Sequence, residues 1–143
     1  LVAAYIHTGG KVGVLVEVGA EKEVTVASEE CKQLVRDITL QIAAANPTVV
    51  SRENISAALI AKEREIAAQS DRLKGKPPQA MEKILQGMLE KFYQTACLVD
   101  QGFVKRNGEV SVKEHAAEAG RKLGDTITIR RFVRFQVGEA VAA

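Results

Sequence analysis

Near its start the chain has two apolar runs rich in β-branched residues, and together they predict a β-hairpin. The runs flank Thr8, Gly9 and Gly10, a composition typical of a tight turn. In the second run, the alternate positions that share one face of the strand hold Val12, Val14, Val16 and Val18. The other face carries Gly13 and Leu15 and is also apolar. A strand that is apolar on both faces is expected to be covered on both.

A helix is predicted over residues 28–46. Ser28 has a side chain suited to the N-cap, and the acidic residues after it favour the positive end of a helix dipole. One stripe is apolar at helical spacing and contains Cys31, Leu34, Val35, Ile38, Ile42 and Ala45. Pro47 ends the helix, because proline disfavours the helical conformation of the residue before it. The opposite face is more apolar than a solvated face requires, and it carries Leu40, Gln41 and Ala44.

Two further helices are predicted to form an antiparallel hairpin over residues 56–98. The first begins at Ser56, runs to about Leu73 and has an apolar seam every seventh residue, at Leu59, Ile66 and Leu73. The second begins after the Gly-Lys-Pro-Pro sequence at residues 75–78, which is typical of one helix ending and another starting. Helices joined by so short a turn lie antiparallel.

The last part of the chain predicts a short helix followed by a long strand. Ser-Val-Lys-Glu at residues 111–114 has the form of a capping box, and Gly124 is suited to end the helix. Between Thr126 and Val137 one face of the predicted strand holds Ile127, Ile129, Val133, Phe135 and Val137. Phe132 breaks this alternation and is predicted on the opposite face.

These elements predict an α+β fold: a three-stranded antiparallel sheet packed on helices on one face, with an inserted antiparallel helical hairpin. We expect a single domain over residues 1–143, whose sheet core comprises residues 1–50 and 99–143. The helical hairpin occupies about residues 56–98. Because the chain opens on Leu1 without an initiator methionine, we expect a fragment of a longer protein.

The composition indicates a cytoplasmic protein. Of the 143 residues, 46% are hydrophobic and 27% are charged, which is usual for a globular domain. No apolar run approaches the ~20 residues of a membrane span, and the sequence shows no basic-then-apolar leader. Cys31 and Cys97 lack metal-type spacing, so two reduced thiols are expected, with a disulfide as the alternative.

Candidate residues for covalent chemistry are scarce in the sequence. The segment Gly9-Gly10-Lys11 fits neither the P-loop nor the dinucleotide pattern, and it lies between strands instead of opening a helix. His7 and His115, the two histidines, have no Cys, Asp or second His at ligand spacing, so no metal site is predicted. We therefore expect no catalytic residue and no cofactor. A binding or assembly module is favoured over an enzyme.

One basic concentration leaves a second function open, that of an RNA- or ribosome-associated module. Such a module would use Lys105, Arg106, Arg130, Arg131 and Arg134. The net charge is only +2, however, and 4% of the residues are aromatic, which provides little for base stacking. The competing interpretation is solubilising charge along a strand edge.

Four stretches match motifs of one known family in the same order. They are Y-I-H-T-G-G-K-V-G-V-L-V-E-V at residues 5–18, I-A-A-A-N-P at residues 42–47, G-K-P-P-Q-A-M-E-K-I-L-Q-G-M-L-E-K-F-Y at residues 75–93 and R-F-V-R-F-Q-V-G-E at residues 131–139. Over nearly its whole length the chain thus resembles bacterial elongation factor Ts, in particular the core, or dimerisation, domain of that family.

This resemblance implies a non-enzymatic guanine-nucleotide exchange factor for elongation factor Tu. Such a factor stabilises the nucleotide-free G protein and by linkage weakens nucleotide binding. The Thr-Asp-Phe motif, whose phenylalanine in the family disturbs the magnesium and phosphate region of the G protein, occurs nowhere in this sequence. We also expect the family's N-terminal helical module to be absent from residues 1–143. The chain is therefore expected to dock and dimerise without full exchange activity.

The resemblance also implies which residues meet other proteins. Contacts with elongation factor Tu are expected near the end of the first long helix, at Leu40, Gln41, Ala44 and Asn46. Family members with a single core pair through the open face of the sheet, where we predict Tyr5, Gly13, Leu15 and Phe132. The expected partners are thus elongation factor Tu and a second copy of the chain, with no small-molecule substrate and no membrane.

Overall fold

A computed structural model describes residues 1–140, which contain a three-stranded antiparallel sheet. The strands lie side by side in the order β1 (Val2–Ile6), β2 (Val12–Ala20) and β3 (Ile127–Gln136). The last strand therefore pairs with a hairpin formed by the first two. The predicted α+β fold is confirmed. The core range predicted to end at Ala143 includes three residues that lie outside the described part.

The helices of the described residues are α1 (Glu23–Ala27), α2 (Glu29–Ala45), α3 (Ala57–Ala68), α4 (Pro78–Ala96) and α5 (Val112–Leu123). Three begin with the serine caps expected from the sequence, and in α3 the Ser56 hydroxyl accepts from the Leu59 backbone N–H at 3.1 Å. The Ser28 hydroxyl accepts from the Cys31 backbone N–H, and the Ser111 hydroxyl accepts from that of Glu114. Within residues 1–140 we find no helix whose length and apolar character would let it cross a bilayer.

The glycines between β1 and β2 form the turn of the hairpin. Gly9 and Gly10 have φ angles of 95° and 71°, a region that residues with a side chain rarely adopt. The Gly10 N–H donates to the His7 carbonyl at 2.9 Å, and the His7 N–H donates to the Val12 carbonyl at 2.9 Å. The Gly-Gly-Lys sequence is therefore explained by a turn, as predicted.

One face of the sheet is covered by α2 and α5, and the core lies between these layers. α2 lies against β1 and β2, whereas α5 lies against β3 and α2. The predicted valine face is confirmed, since Val14, Val16 and Val18 are buried. The rest of the core comes from α2 and from later segments: Cys31, Leu34, Val35, Ile38, Ile42, Leu98, Phe103, Val112, Ala116 and Ile129. Full burial of a valine, leucine, isoleucine or phenylalanine side chain stabilises the folded state by about 1.5–3 kcal/mol.

A β-bulge interrupts β3 at Arg130. Glu17 of β2 pairs with Arg131, but the next residue, Val18, pairs with Ile129, so Arg130 is an extra residue in β3. Both arginine side chains reach the Glu17 carboxylate, with their Nε atoms 3.0 and 2.9 Å from its oxygens. An extra residue reverses the alternation of side chains beyond it.

Because of the bulge, the residues of β3 that follow it lie on the opposite side of the sheet from the one predicted. Ile129 precedes it and is buried against the helices, as expected. Val133 and Phe135 follow it and face away from the helices, with 45% and 75% of their surface exposed. The prediction that these three residues share one face is therefore wrong.

α3 and α4 form the predicted helical hairpin, which has a small apolar seam of its own. Leu85 and Leu89 of α4 are buried, together with Leu73 in a 3₁₀ turn between the helices. Ile66, which was predicted in the seam, is 55% exposed, and Ala67 is buried instead. The strict seven-residue spacing is thus wrong. The buried position near the end of α3 is one residue beyond Ile66, and Leu73 is buried from the 3₁₀ turn and not from a continuous helix.

The base of this hairpin is tied to the sheet core. Val49 and Cys97, at its two ends, form an isolated parallel bridge. The Arg52 guanidinium donates to the Asp100 carboxylate at 3.0 Å and also pairs with Glu90 near the end of α4. These carboxylates raise the pKa of Arg52 further above its ordinary value. The hairpin therefore leaves the core at a defined place.

Asp125 joins two turns that are distant in sequence. Its carboxylate accepts from the Thr25 hydroxyl at 2.6 Å and from the backbone N–H groups of Glu21, Lys22 and Thr126. These donors, the Thr25 hydroxyl first among them, lower the pKa of Asp125 from 3.8 to about 2. The ionised carboxylate therefore stabilises the start of α1 against the start of β3.

We expect the Asp125→Asn substitution to destabilise the protein less as the solution becomes acidic. Because the folded-state pKa is lowered, the carboxylate stabilises the fold fully above pH 3.8, and this contribution is lost as the pH falls through about 2. Urea unfolding of both forms between pH 7 and pH 2 measures the effect. Asp71→Asn, at an exposed carboxylate of the helical hairpin, is the matched control and should change stability little. A stability difference between the wild-type protein and the Asp125→Asn variant that stays constant over this range would contradict the assignment.

Candidate partner-binding surfaces

A cleft of about 340 Å³ opens beside the C-terminal half of α2, and we call it the α2 cleft. Three segments form it: the hairpin ends of β1 and β2, α2 itself, and the loop after α4. The lining residues are Tyr5, His7, Val12, Asp37, Leu40, Gln41, Ala43, Ala44, Phe103, Val104 and Lys105. Three of the residues predicted to bind a partner, Leu40, Gln41 and Ala44, thus lie around one concave surface.

Two of these residues are accessible to a partner protein. Leu40 is 37% exposed, and Ala44, one turn further along α2, is also exposed. Asn46 is exposed as well, but it ends the helix in the left-handed conformation, with a φ of 48°, and does not line the cleft. Exposed apolar side chains beside a concave surface are typical of binding sites.

Gln41 is placed inside the protein, so its predicted position on the outer face is wrong. Its side chain is 2% exposed. The Nε2 atom donates to the Gln101 Oε1 and to the Gly102 carbonyl, both at 3.1 Å, while the Oε1 accepts from the Val104 backbone N–H at 2.8 Å. Gln41 therefore supports the wall of the α2 cleft from within.

Gln101 completes this buried network and was not identified from the sequence. Its Nε2 donates to the Thr95 carbonyl at 2.7 Å, near the end of α4, and lies 3.5 Å from the Ala45 carbonyl at the end of α2. The backbone carbonyl of Gln101 accepts from the Val112 N–H at the start of α5. A lone glutamine in a loop gives no sequence signal for such a role. Once buried, a hydrogen-bonded amide fixes the segments that it joins.

Paired polar groups accompany the apolar lining of the α2 cleft. Lys105 donates from Nζ to the Asp37 carboxylate at 2.7 Å. On β1, the Tyr5 hydroxyl lies 2.7 Å from Nδ1 of His7. Apolar side chains with a few satisfied polar groups suit a protein partner better than a charged small molecule.

The face of the sheet opposite the helices is exposed, and we call it the open sheet face. From the strand register it consists of Val2, Ala4, Ile6, Gly13, Leu15, Glu17, Arg131, Val133 and Phe135. Gly13 and Leu15, which were predicted on this face, do lie there, and Leu15 is 49% exposed. Ile6 lies over Gly13, since a Cβ atom at Gly13 would come within 3.0 Å of the Ile6 Cδ1.

Tyr5 and Phe132 lie on the helix-covered side of the sheet, so their predicted placement on the open face is wrong. Tyr5 pairs with Val14, whose side chain is in the core. Phe132 follows the bulge, pairs with Val16 and packs against the core. In both strands a register change of one residue exchanges the two faces. The exposed apolar residues that sequence reasoning missed on the open sheet face are Val2, Ile6, Val133 and Phe135.

The basic residues considered for RNA binding do not form a free positive patch. Each of them has an acidic or carbonyl partner within the protein. The partners are Asp37 for Lys105, Glu118 for Arg106, Glu17 for Arg130 and Arg131, and the Ala43 carbonyl for Arg134. Nothing in this arrangement favours the RNA-binding alternative.

Cys31 and Cys97 are free thiols, and both are buried. Burial raises the pKa of the Cys31 thiol and raises that of Cys97 to about 11. Such thiols remain protonated at neutral pH and are poor nucleophiles. In the part of the chain that the structure describes, no three His, Cys, Asp or Glu residues are grouped to hold a metal ion.

We expect Gln41→Leu to destabilise the protein by roughly 2–4 kcal/mol, because it leaves buried partners such as the Val104 N–H without their hydrogen bonds. Leucine keeps the side-chain volume, so the loss reports hydrogen bonding more than packing. Gln94→Leu, at an exposed position of α4, is the matched control and should change stability by less than about 0.5 kcal/mol. Equal urea midpoints for the two variants would show that the amide network contributes little.

Comparison with known proteins matches nearly the whole chain to a protein family. Residues 1–139 match the family model described as elongation factor TS. Three curated relatives, each described as elongation factor Ts, are similar over almost all of this chain. The protein from Carboxydothermus hydrogenoformans is 46% identical over 142 residues, which are 99% of this chain and 65% of that relative.

The two other relatives agree with this match. The protein from a Thermoanaerobacter species is 46% identical over 141 residues, covering 99% of this chain and 69% of its own length. The protein from an Anaeromyxobacter species is 47% identical over 140 residues, covering 98% and 64%. The chain thus spans about two thirds of the length of these relatives. It belongs to the elongation factor Ts family.

Proposed function

We propose that this chain is the docking and dimerisation part of a translation elongation factor that promotes GDP/GTP exchange on elongation factor Tu. The observation that carries the proposal is the match of residues 1–139 to the elongation factor Ts family. The role belongs to the cytoplasm, where translation takes place. It requires no cofactor and no covalent change.

Exchange of this kind works by linkage between two binding events. A protein that binds the nucleotide-free G protein more tightly than the nucleotide-bound form weakens nucleotide binding by the same factor. A coupling free energy of ~4 kcal/mol corresponds to about a thousandfold weaker nucleotide binding. Because Thr-Asp-Phe does not occur in this chain, the chain alone is proposed to bind elongation factor Tu without the full acceleration of exchange.

The α2 cleft is the proposed docking surface for elongation factor Tu. Leu40 and Ala44 are its accessible apolar residues on α2, and Val104, on the facing loop, is 56% exposed. The buried amides of Gln41 and Gln101 hold these two walls together. Gln41 therefore contributes to docking indirectly, by positioning the surface.

The open sheet face is the proposed surface for pairing with a second copy of the chain. Its apolar residues come from all three strands, and Ile6, Leu15, Val133 and Phe135 are exposed. Leu15 and Val133 are direct cross-strand partners near its centre. Face-to-face packing of two such sheets about a two-fold axis would bury these side chains.

We expect Leu40→Asp to weaken capture of nucleotide-free elongation factor Tu by about 10–100-fold, since burying a leucine contributes about 1.5–3 kcal/mol. Titration calorimetry with the purified G protein measures the dissociation constant. Ile66→Asp is the matched control, because Ile66 is an exposed apolar residue near the end of another helix. Unchanged affinity in the Leu40 variant, or an equal loss of affinity in both variants, would show that the docking surface is not the α2 cleft.

Leu15→Glu is expected to convert a dimer of this chain to monomers at micromolar concentration, because it would bring two like charges into an apolar contact. Sedimentation equilibrium of wild type and variant gives the association constants. Val24→Glu, at a 73% exposed residue of α1, tests the same chemical change elsewhere. A wild-type chain that is monomeric at this concentration would overturn the proposed pairing.

A further inference from the structure

The last turn of α2 ends without the usual backbone donors for its carbonyl groups. In a continuing helix the carbonyls of Ala43, Ala44 and Ala45 would accept from the N–H groups of the residues four positions on. The residue four positions after Ala43 is Pro47, which has no N–H. The two residues that follow Pro47 donate their N–H groups to the carbonyl of Ala96 instead.

The Asn46 N–H does not supply a donor for these last three carbonyl groups of α2, because it donates to the Ile42 carbonyl at 3.1 Å. The end of α2 therefore depends on side chains from elsewhere. Gln101 approaches the Ala45 carbonyl at 3.5 Å. Arg134 donates from a terminal guanidinium nitrogen to the Ala43 carbonyl at 3.1 Å, across 91 positions of sequence.

Arg134 reaches this carbonyl because of the β3 bulge. The extra residue at Arg130 turns Arg134 to the helix-covered side, where it pairs with Val14 and lies in the same row as Tyr5. Its side chain is 10% exposed. An arginine on β3 would otherwise face solvent at this position, since the alternation predicted from the sequence places it away from the helices.

The guanidinium group is itself held in place by the last residue of β3 and by a residue shortly after the strand. Its other terminal nitrogen donates to the Gln136 side-chain oxygen at 3.0 Å and lies 3.8 Å from the Glu139 carboxylate. Its Nε is buried, without a hydrogen-bond partner among residues 1–140. A positive charge is favourable at a helix C-terminus, because the helix dipole places partial negative charge there.

We propose that Arg134 is the residue that positions the end of α2, and with it the α2 cleft. Ala43 and Ala44 line that cleft, and both belong to the turn that Arg134 caps. The consequence for docking rests on the proposed function, whereas the capping itself does not. Arg134 is thus a positioning residue that acts through the backbone of α2 and does not touch the partner.

Native-state hydrogen exchange of the amides in α2 tests the capping. In Arg134→Met we expect the amides of Ala44, Ala45 and Asn46 to exchange about tenfold faster, which corresponds to the loss of one charged hydrogen bond. Those of Val35 and Ile38, in the middle of α2, should change little. Arg134→Lys keeps a charged donor and should restore most of the protection.

Arg131→Met is the matched control, because Arg131 lies on the same strand, pairs with Glu17 and faces away from the helices. It should leave exchange at the end of α2 unchanged. Unaltered exchange of the Ala44, Ala45 and Asn46 amides in Arg134→Met would overturn the proposal. An equal increase along the whole of α2 would overturn it too, because it would show a general loss of stability.

Binding of the same variants to nucleotide-free elongation factor Tu tests the consequence for docking. Affinity about tenfold weaker in Arg134→Met and recovered in Arg134→Lys would support the positioning of the docking surface. Normal affinity in Arg134→Met would overturn it. If the wild-type chain fails to bind at all, the proposed function fails, while the exchange rates still decide whether Arg134 caps α2.

Discussion

A buried pair of glutamine side chains ties together the segments that form the α2 cleft. Gln41 on α2 and Gln101 in the loop after α4 bond each other at 3.1 Å, and their other bonds reach the ends of α2 and α4 and the backbone of the loop. Each buried donor or acceptor left unpaired would cost about 1–3 kcal/mol, so these segments hold their relative positions as a set. Because Thr95 lies near the end of the helical hairpin, the same amides also fix where the hairpin returns to the core.

A single extra residue in β3 separates the two candidate surfaces of the molecule. The bulge at Arg130 turns Phe132 and Arg134 toward the helices, and it leaves Val133 and Phe135 on the opposite side of the sheet. The bulge therefore places Phe132 against the core and Arg134 at the end of α2. It also leaves apolar side chains on the open sheet face. A partner in the α2 cleft and a second copy on the open sheet face would contact opposite sides of the sheet, so one contact need not obstruct the other.

The positions of the helices and strands could be predicted from the sequence, because local residue chemistry determines them. The side of the sheet on which a residue lies could not be predicted where it depends on the register between strands. The Ser28 cap and the apolar stripe of α2 are local, and both were identified correctly. Tyr5 was assigned to the wrong face because the hairpin composition does not fix the register between its strands. The break in alternation at Phe132 is visible in the sequence, but strict alternation places Phe132 on the open face of the sheet, because nothing local marks a bulge at Arg130. Gln41 looked like a surface residue because the Gln101 amide that satisfies it lies 60 positions away.

Hydrogen exchange of the chain with and without nucleotide-free elongation factor Tu tests most directly whether the α2 cleft is the docking surface. Amides of the cleft wall report contact there, whereas β3 residues such as Val133 report the open sheet face. If the account is correct, the added protein slows exchange at the end of α2 and around Val104 and Lys105, and it leaves the open sheet face unchanged. Protection confined to the open sheet face or to the helical hairpin, with the α2 cleft unchanged, would contradict it.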